Sequence, residues 1–301
     1  MKLMILSFVL KVMIVIVLLS RSSNTAAQSL PNCPDKCGNV TIPYPFGTTE
    51  DCYLSRSYYV NCTSLQIYNT SFQLSSVSLD GYMRGSLPMG YRCYNKKHAK
   101  TRWLEPEIML SRFPVSSTHN LFTTVGCDAR SSMKYINSEN YITGCLSMTG
   151  CTGLTDGSCL GMGCSQVPVP YKVTSFRIHA QDNTKRYVGK WSYNKCVYAF
   201  VVEKHHYWFR ETDLDTMVNR SFPVVLEWSL GSTSCVEAQK KNPETYLCKE
   251  NSVCDDHTYT VDFIQSYHHQ GYRCHCAQGY QGNPYLPNGC QGKIIIIVIN
   301  L

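Results

Sequence analysis

Between Gly81 and Leu104 the chain carries six cations, Arg84, Arg92, Lys96, Lys97, Lys100 and Arg102, and no acidic residue, with Tyr91, Tyr94 and Trp103 interleaved. An Arg fork meets a carboxylate bidentately and Lys adds a mobile point charge, while aromatic faces accept flat or puckered rings. If these residues share a face, they make a surface for a polyanion assembled from ring-bearing units. A single exposed ion pair is worth only about 0–1 kcal/mol. Such a surface must therefore gather several contacts along one polymer, and its binding must weaken with salt. The plainer reading of any one of these cations is a solvated loop.

Other constellations offer less. Glu105 and Glu107, or Asp213 and Asp215, are the local candidates for the two carboxylates of a polysaccharide hydrolase, and both pairs read more simply as solvated turns or strands. His205-His206 and His268-His269 are adjacent in sequence, so on a strand their side chains point to opposite faces. Neither pair has zinc-ligand spacing to thiolates outside disulfides. With no nucleophile elbow, metal-binding helix or phosphate loop, the expectation is a binding protein with no catalytic residue, metal or cofactor.

The elements that would hold the basic stretch are short and cross-linked. Seventeen cysteines in 301 residues predict small modules stapled by disulfides in an oxidising compartment. Lys2, the apolar run Leu3–Leu19, the polar stretch Ser20–Thr25 and Ala26-Ala27 follow signal-peptide order, so residues 1–27 are expected to be removed. The competing reading is an uncleaved anchor, because the run approaches the roughly 20 residues of a helical span. Lys11 in its middle and the polar exit favour cleavage. Removal takes Lys2, Lys11 and Arg21 from the 28 basic residues and none of the 21 acids, leaving a net charge of +4. Asn39, Asn61, Asn69 and Asn219 open N-x-Ser/Thr sequons and are expected to carry glycans on exposed turns. A secretory route also makes nucleic acid the wrong polyanion.

Short alternating runs bounded by Gly, Pro, Asn and Ser, such as Phe72–Val77 and Cys196–Val202, read as strands. No long amphipathic helical pattern lies between Cys33 and Cys290. The predicted fold class is mainly β, built of small disulfide-rich modules.

The last six cysteines, Cys235, Cys248, Cys254, Cys274, Cys276 and Cys290, place a Cys-x-Cys inside Gly271–Tyr280, and in this they resemble an EGF-like module. Spacing alone leaves their connectivity open; the resemblance implies pairs Cys235–Cys254, Cys248–Cys274 and Cys276–Cys290. The 19 residues between Cys254 and Cys274 make a longer loop than the family usually has. The lead-in Ser229–Ser234 contains no acid, so the hard-cation ligands of calcium-binding versions are missing and no calcium site is expected.

Cys33-Pro34-Asp35-Lys36-Cys37-Gly38-Asn39-Val40-Thr41-Ile42-Pro43-Tyr44-Pro45-Phe46-Gly47 resembles the opening of the galacturonan-binding domain in the extracellular region of plant wall-associated receptor-like kinases. The resemblance continues through Phe122–Asp128 and Cys159–Gln166 to Gly279–Leu286. Pro43 and Pro45 hold Ile42 and Tyr44 extended, which predicts an apolar hook that anchors the first strand. Family members usually have two adjacent cysteines where this chain has Cys164-Ser165. The cysteine that would pair with position 165 is expected to be a free thiol, in a region weakened by the loss.

The organisation implied is a signal peptide (1–27), a galacturonan-binding-like cysteine-rich domain (28–126), a second cysteine-rich region (127–230), an EGF-like module (231–290) and a short tail or truncation (291–301). Cysteine-rich β domains are thus followed by an EGF-like module, with neither a second span nor a kinase expected in the chain. The resemblance implies binding of pectin, specifically homogalacturonan, outside the cell or in the cell wall, with membrane attachment if the chain is part of a longer receptor. The alternative reading is a protein-interaction ectodomain that engages a peptide or co-receptor through the EGF-like module.

Overall fold

The computed structural model describes residues 27–95, 99–136, 140–148, 153–182, 195–215, 217–241, 243–261 and 266–293. The expected leader, Lys96, Lys97 and most of the tail lie outside the described residues, and His268 and His269 fall where only the backbone is described. The chain is mainly β, in three antiparallel sheets and three two-stranded ribbons.

The first sheet contains β3 (Val60–Asn61), β4 (Gln66–Ile67), β5 (Gln73–Val77), β6 (Tyr82–Ser86) and β16 (Pro223–Glu227), in the order β16-β6-β5-β4-β3. The second contains β7 (Gly90–Tyr94), β8 (Lys100–Leu104), β10 (Asn120–Val125), β13 (Cys164–Pro168) and β15 (Cys196–Glu203), in the order β13-β10-β15-β7-β8. The third contains β9 (Glu107–Met109), β11 (Ala129–Lys134), β12 (Tyr141–Leu146) and β14 (Ser175–Asp182), in the order β12-β11-β14-β9. The ribbons are β1 (Lys36–Cys37) with β2 (Val40–Thr41), β17 (Ser252–Val261) with β18 (Ser266–Cys276), and β19 (Tyr280–Gly282) with β20 (Cys290–Gly292). A single α-helix among the described residues, α1 (Cys235–Lys241), opens the C-terminal module. No helix among the described residues is long and apolar enough to cross a membrane.

The second and third sheets pack face to face. Strand β15 is buried at all eight positions, because its two faces serve two cores. Val197, Ala199 and Val201 join Phe122, Met133, Phe176 and Ile178 in the main core. Tyr198, Phe200 and Val202 point the other way, beneath Tyr207, Phe209, Leu214, Met217 and Phe222. Gly90 lets β7 approach β14 closely, since a Cβ there would lie 2.6 Å from Ile178 Cγ2.

The predicted hook is a core element. Ile42, Tyr44 and Phe46 are buried, and the Phe46 ring sits 5.2 Å from Tyr58 and 5.3 Å from Trp228, edge-on to both. The main core runs from Cys37 to Leu286 and so draws on residues from the first, middle and C-terminal parts of the chain.

The C-terminal module docks through backbone as well as side chains. Leu230 and Tyr272 exchange both backbone hydrogen bonds, at 2.8 and 2.9 Å, and Gly271 makes room for this, because a Cβ would lie 2.0 Å from Leu230 O. Arg273 Nε donates to Trp228 O at 2.7 Å. Asn283, fully buried, donates to Gln28 O at 2.9 Å and Tyr44 O at 2.8 Å and accepts from Tyr285 N at 3.0 Å. One side chain thereby ties the module to the N-terminal hook.

Disulfides join Cys33–Cys52, Cys37–Cys62, Cys93–Cys196 and Cys159–Cys164 in the first two-thirds of the chain, and Cys235–Cys254, Cys248–Cys274 and Cys276–Cys290 in the module. Cys145 is the free cysteine among the described residues, and it is buried. Its thiol donates to Phe122 O at 3.4 Å and hydrogen-bonds with the side chain of Ser165.

Candidate functional site

The basic stretch folds into β6, β7 and β8, and the structure divides its cations into two groups. Arg84, on β6, donates through Nε to both carboxylate oxygens of Glu203, at 3.0 and 3.2 Å. Arg92, on the face of β7 that packs toward the third sheet, is ion-paired with Glu105. Glu105 also faces His179 at 3.3 Å. Burial pushes the Glu105 carboxyl up, but the Arg92 hydrogen bond and the His179 and Arg92 charges outweigh it and hold the group below its ordinary range. Both arginines therefore have resident carboxylate partners and tie strands together.

Lys100 and Arg102 lie elsewhere, on β8, the outermost strand of its sheet. All five residues of β8 are exposed. An edge strand with no layer on either side presents both rows of side chains to solvent, so alternation does not hide half of them. Lys100 Nζ stands 3.7 Å from the Trp103 ring centroid, and Trp103 is 53% exposed. A cation against an indole face is favourable by about 0.5–1 kcal/mol at an exposed site, and it preorganises the pair as one surface. Arg102 opposes Cys93 across the ladder and adds a second positive group on the same strand. The aromatic residues divide likewise: Tyr91 packs against the second core, the Tyr94 hydroxyl accepts from Asp182 N at 3.1 Å, and Trp103 stays open.

The other acidic candidates also have partners. Glu107 is paired with Arg177. Asp213 accepts from the Tyr207 hydroxyl at 3.0 Å and Arg210 N at 3.1 Å and is paired with Arg220. Asp215 stands 4.0 Å from Lys195 Nζ. His206 Nδ1 contacts Lys204 O at 3.0 Å. Among the described residues no group of three or more His, Cys, Asp or Glu side chains is placed to hold a metal ion. Asn39, Asn61, Asn69 and Asn219 are all exposed, as a glycan-bearing residue must be.

Comparison with known proteins gives this geometry a setting. Residues 33–84 match a family described as wall-associated receptor kinase galacturonan-binding. Wall-associated receptor kinase 2 of Arabidopsis thaliana is 34% identical over 271 residues, 88% of this chain and 35% of that protein. Wall-associated receptor kinases 4 and 1 of the same plant are 31% and 32% identical, over 93% and 86% of this chain and 37% and 34% of theirs. The chain thus spans about a third of the length of the curated relatives it matches. No solved structure matches it.

Proposed function

We propose, from the premise that this chain belongs to the wall-associated receptor kinase family, that it binds acidic pectin, a polymer of galacturonic acid, outside the cell. The match of residues 33–84 to the galacturonan-binding model carries this reading. The exposed strand β8, with Lys100 stacked on Trp103 on one face and Arg102 on the other, supplies contacts of suitable chemistry. Arg and Lys meet the carboxylates, and the indole face receives the apolar face of a sugar ring. Lys96 and Lys97 stand a few residues before Lys100 in the sequence and add charge of the same sign. The disulfides fit an oxidising extracellular compartment or cell wall, and the role is recognition rather than catalysis.

Replacing Lys100 and Arg102 by Gln together with Trp103 by Ala is expected to weaken binding to de-esterified pectin by about tenfold, with unfolding unchanged because β8 lies outside both cores. Affinity of the parent chain should fall with added salt and with methyl-esterification of the polymer. Equal retention on esterified and de-esterified pectin would rule out carboxylate recognition. The alternative, a peptide or co-receptor at the C-terminal module, draws on a groove of about 370 Å³ lined by Leu54, Leu230, Ala238, Tyr246, Leu247 and Tyr272. A variant with normal pectin binding after the β8 changes would direct attention there.

A further inference from the structure

A second surface of the same chemical type lies on the outer side of β3 and β4, on the first sheet rather than the one that carries β8. Val60 and Ile67 are paired across these strands and are buried, so they face the core. Their chain neighbours Tyr59 and Tyr68 must face outward. The Tyr68 N–H donates to Tyr59 O at 2.8 Å, which makes the two tyrosines cross-strand partners on one face. The ring of Tyr53 lies 5.7 Å from that of Tyr59, and the Arg56 guanidinium stands 4.7 Å over the ring of Tyr68. Three tyrosines and one arginine are therefore contiguous. Arg56 is exposed, Tyr68 is 39% exposed, and Tyr53 and Tyr59 are half-buried.

Among the described residues Arg56, like Arg102 on β8, lacks a carboxylate partner. Arg84, Arg92, Arg177 and Arg220 each hold a carboxylate, and Arg112 directs its donors to the carbonyls of Ser229 and Gly231. Among the described residues no carboxylate lies within ion-pair reach of Arg56, whose guanidinium stands over the Tyr68 ring. A guanidinium stacked on an aromatic face keeps its N–H edges free in the ring plane, where they meet a carboxylate bidentately. Of the three rings, Tyr53 also packs against the edge of the main core; Tyr59 and Tyr68 do not belong to it, since Val60 and Ile67 supply the inward side there.

We propose that Tyr53, Tyr59, Tyr68 and Arg56 form a sugar-stacking site that takes a uronic-acid residue, its ring on the tyrosine faces and its carboxylate on the Arg56 fork. The proposal rests on the acidic-polysaccharide reading above and deepens it with a contact site inside residues 33–84, separate in the fold from β8. Two such sites on one chain make affinity for a polymer long enough to reach both exceed that of either contact alone. The sequon at Asn69 adjoins Tyr68, so the test uses protein freed of N-glycans by an endoglycosidase, which removes the chain's own sugar as an occupant.

The experiment is calorimetric titration of the full oxidised chain with a de-esterified galacturonate oligomer at low salt. Arg56→Gln and Tyr68→Ala are each expected to weaken binding on the order of threefold, and the double variant about tenfold. Tyr68→Trp, which enlarges the face and guards against a folding defect in the Ala variant, should bind at least as tightly as the parent. Parent-like affinity in the double variant, with loss only in the β8 variant, would reject this site and leave the polysaccharide reading intact. No binding by the parent chain would overturn both.

Discussion

Replacement of His257 by Ala is expected to destabilise the oxidised chain by about 3–5 kcal/mol, because it strips the partner from a buried carboxylate. His257 Nε2 faces Glu227 Oε2 at 3.3 Å, with side-chain exposures of 14% and 8%. The two residues come from different parts of the molecule. Glu227 ends β16 in the first sheet, and His257 sits on β17 of the C-terminal module. Burial alone pushes the Glu227 carboxyl up. Hydrogen bonds from His257 and Ser116 and the positive charges of His257 and Arg273 outweigh it, and the group titrates below its ordinary range.

The sign of the pH dependence follows. A carboxylate whose folded value is depressed stabilises the fold above its unfolded value, and that contribution is lost as pH falls through the folded value. The parent chain should therefore keep this contribution through the ordinary glutamate range and lose it only at more acid pH. In the Ala variant burial is opposed chiefly by Ser116 and Arg273, so the acid limb of stability should move to higher pH. Urea unfolding at pH 6 and at pH 4, with disulfides intact, measures both effects. Adding Glu227→Gln to His257→Ala should restore most of the loss, since the uncompensated charge is then gone. A loss under about 1 kcal/mol with an unmoved acid limb would show that the pair does not fasten the module.

The sequence disclosed residue types more fully than partners. Pro43, Pro45 and their apolar neighbours announce a constrained hook, and Ile42 and Phe46 are fully buried, because proline geometry is local and needs no knowledge of the rest of the chain. The cationic stretch is legible for the same reason, yet its division is not. Glu105 lies one residue past Leu104, near enough to have been weighed as a partner for Arg92. Glu203 lies 119 residues from Arg84, and only the packing of β15 against β16, the neighbour of β6, brings them together. Strand order is equally remote: β16 enters the first sheet beside β6 after more than a hundred intervening residues. The exposure of all of β8 follows from its place at a sheet edge, which no alternation pattern encodes. The outward tyrosines flanking β3 and β4 carry no such signal, because two-residue strands give too short a period to read.

The free thiol illustrates the same boundary and yields the second large effect. An odd cysteine count implies an unpaired thiol without saying which, and the fold places the free Cys145 beside Ser165. Ser165→Cys is accordingly expected to close a new disulfide around a loop of about 20 residues, for a stabilisation of about 3 kcal/mol in the chain-entropy account. Cys145 ends near the close of β12, an outer strand of the third sheet, and residue 165 lies on β13, an outer strand of the second. The new bond would clamp together two sheet edges that no disulfide among those described now joins.

Thiol titration gives the chemical readout and urea unfolding the energetic one. Burial raises the Cys145 pKa, against the opposing hydrogen bonds of Ser165 and Thr124, so the native parent should react slowly with a disulfide reagent and show one thiol per chain only after unfolding. The Ser165→Cys variant should show none after unfolding, and adding Cys145→Ser should abolish the gain in stability. Two titratable thiols in the unfolded, unreduced variant would mean that the side chains at positions 145 and 165 do not meet in bonding geometry. Bond formation without added stability would mean instead that strain at the seam between β12 and β13 offsets the entropy removed from the unfolded chain.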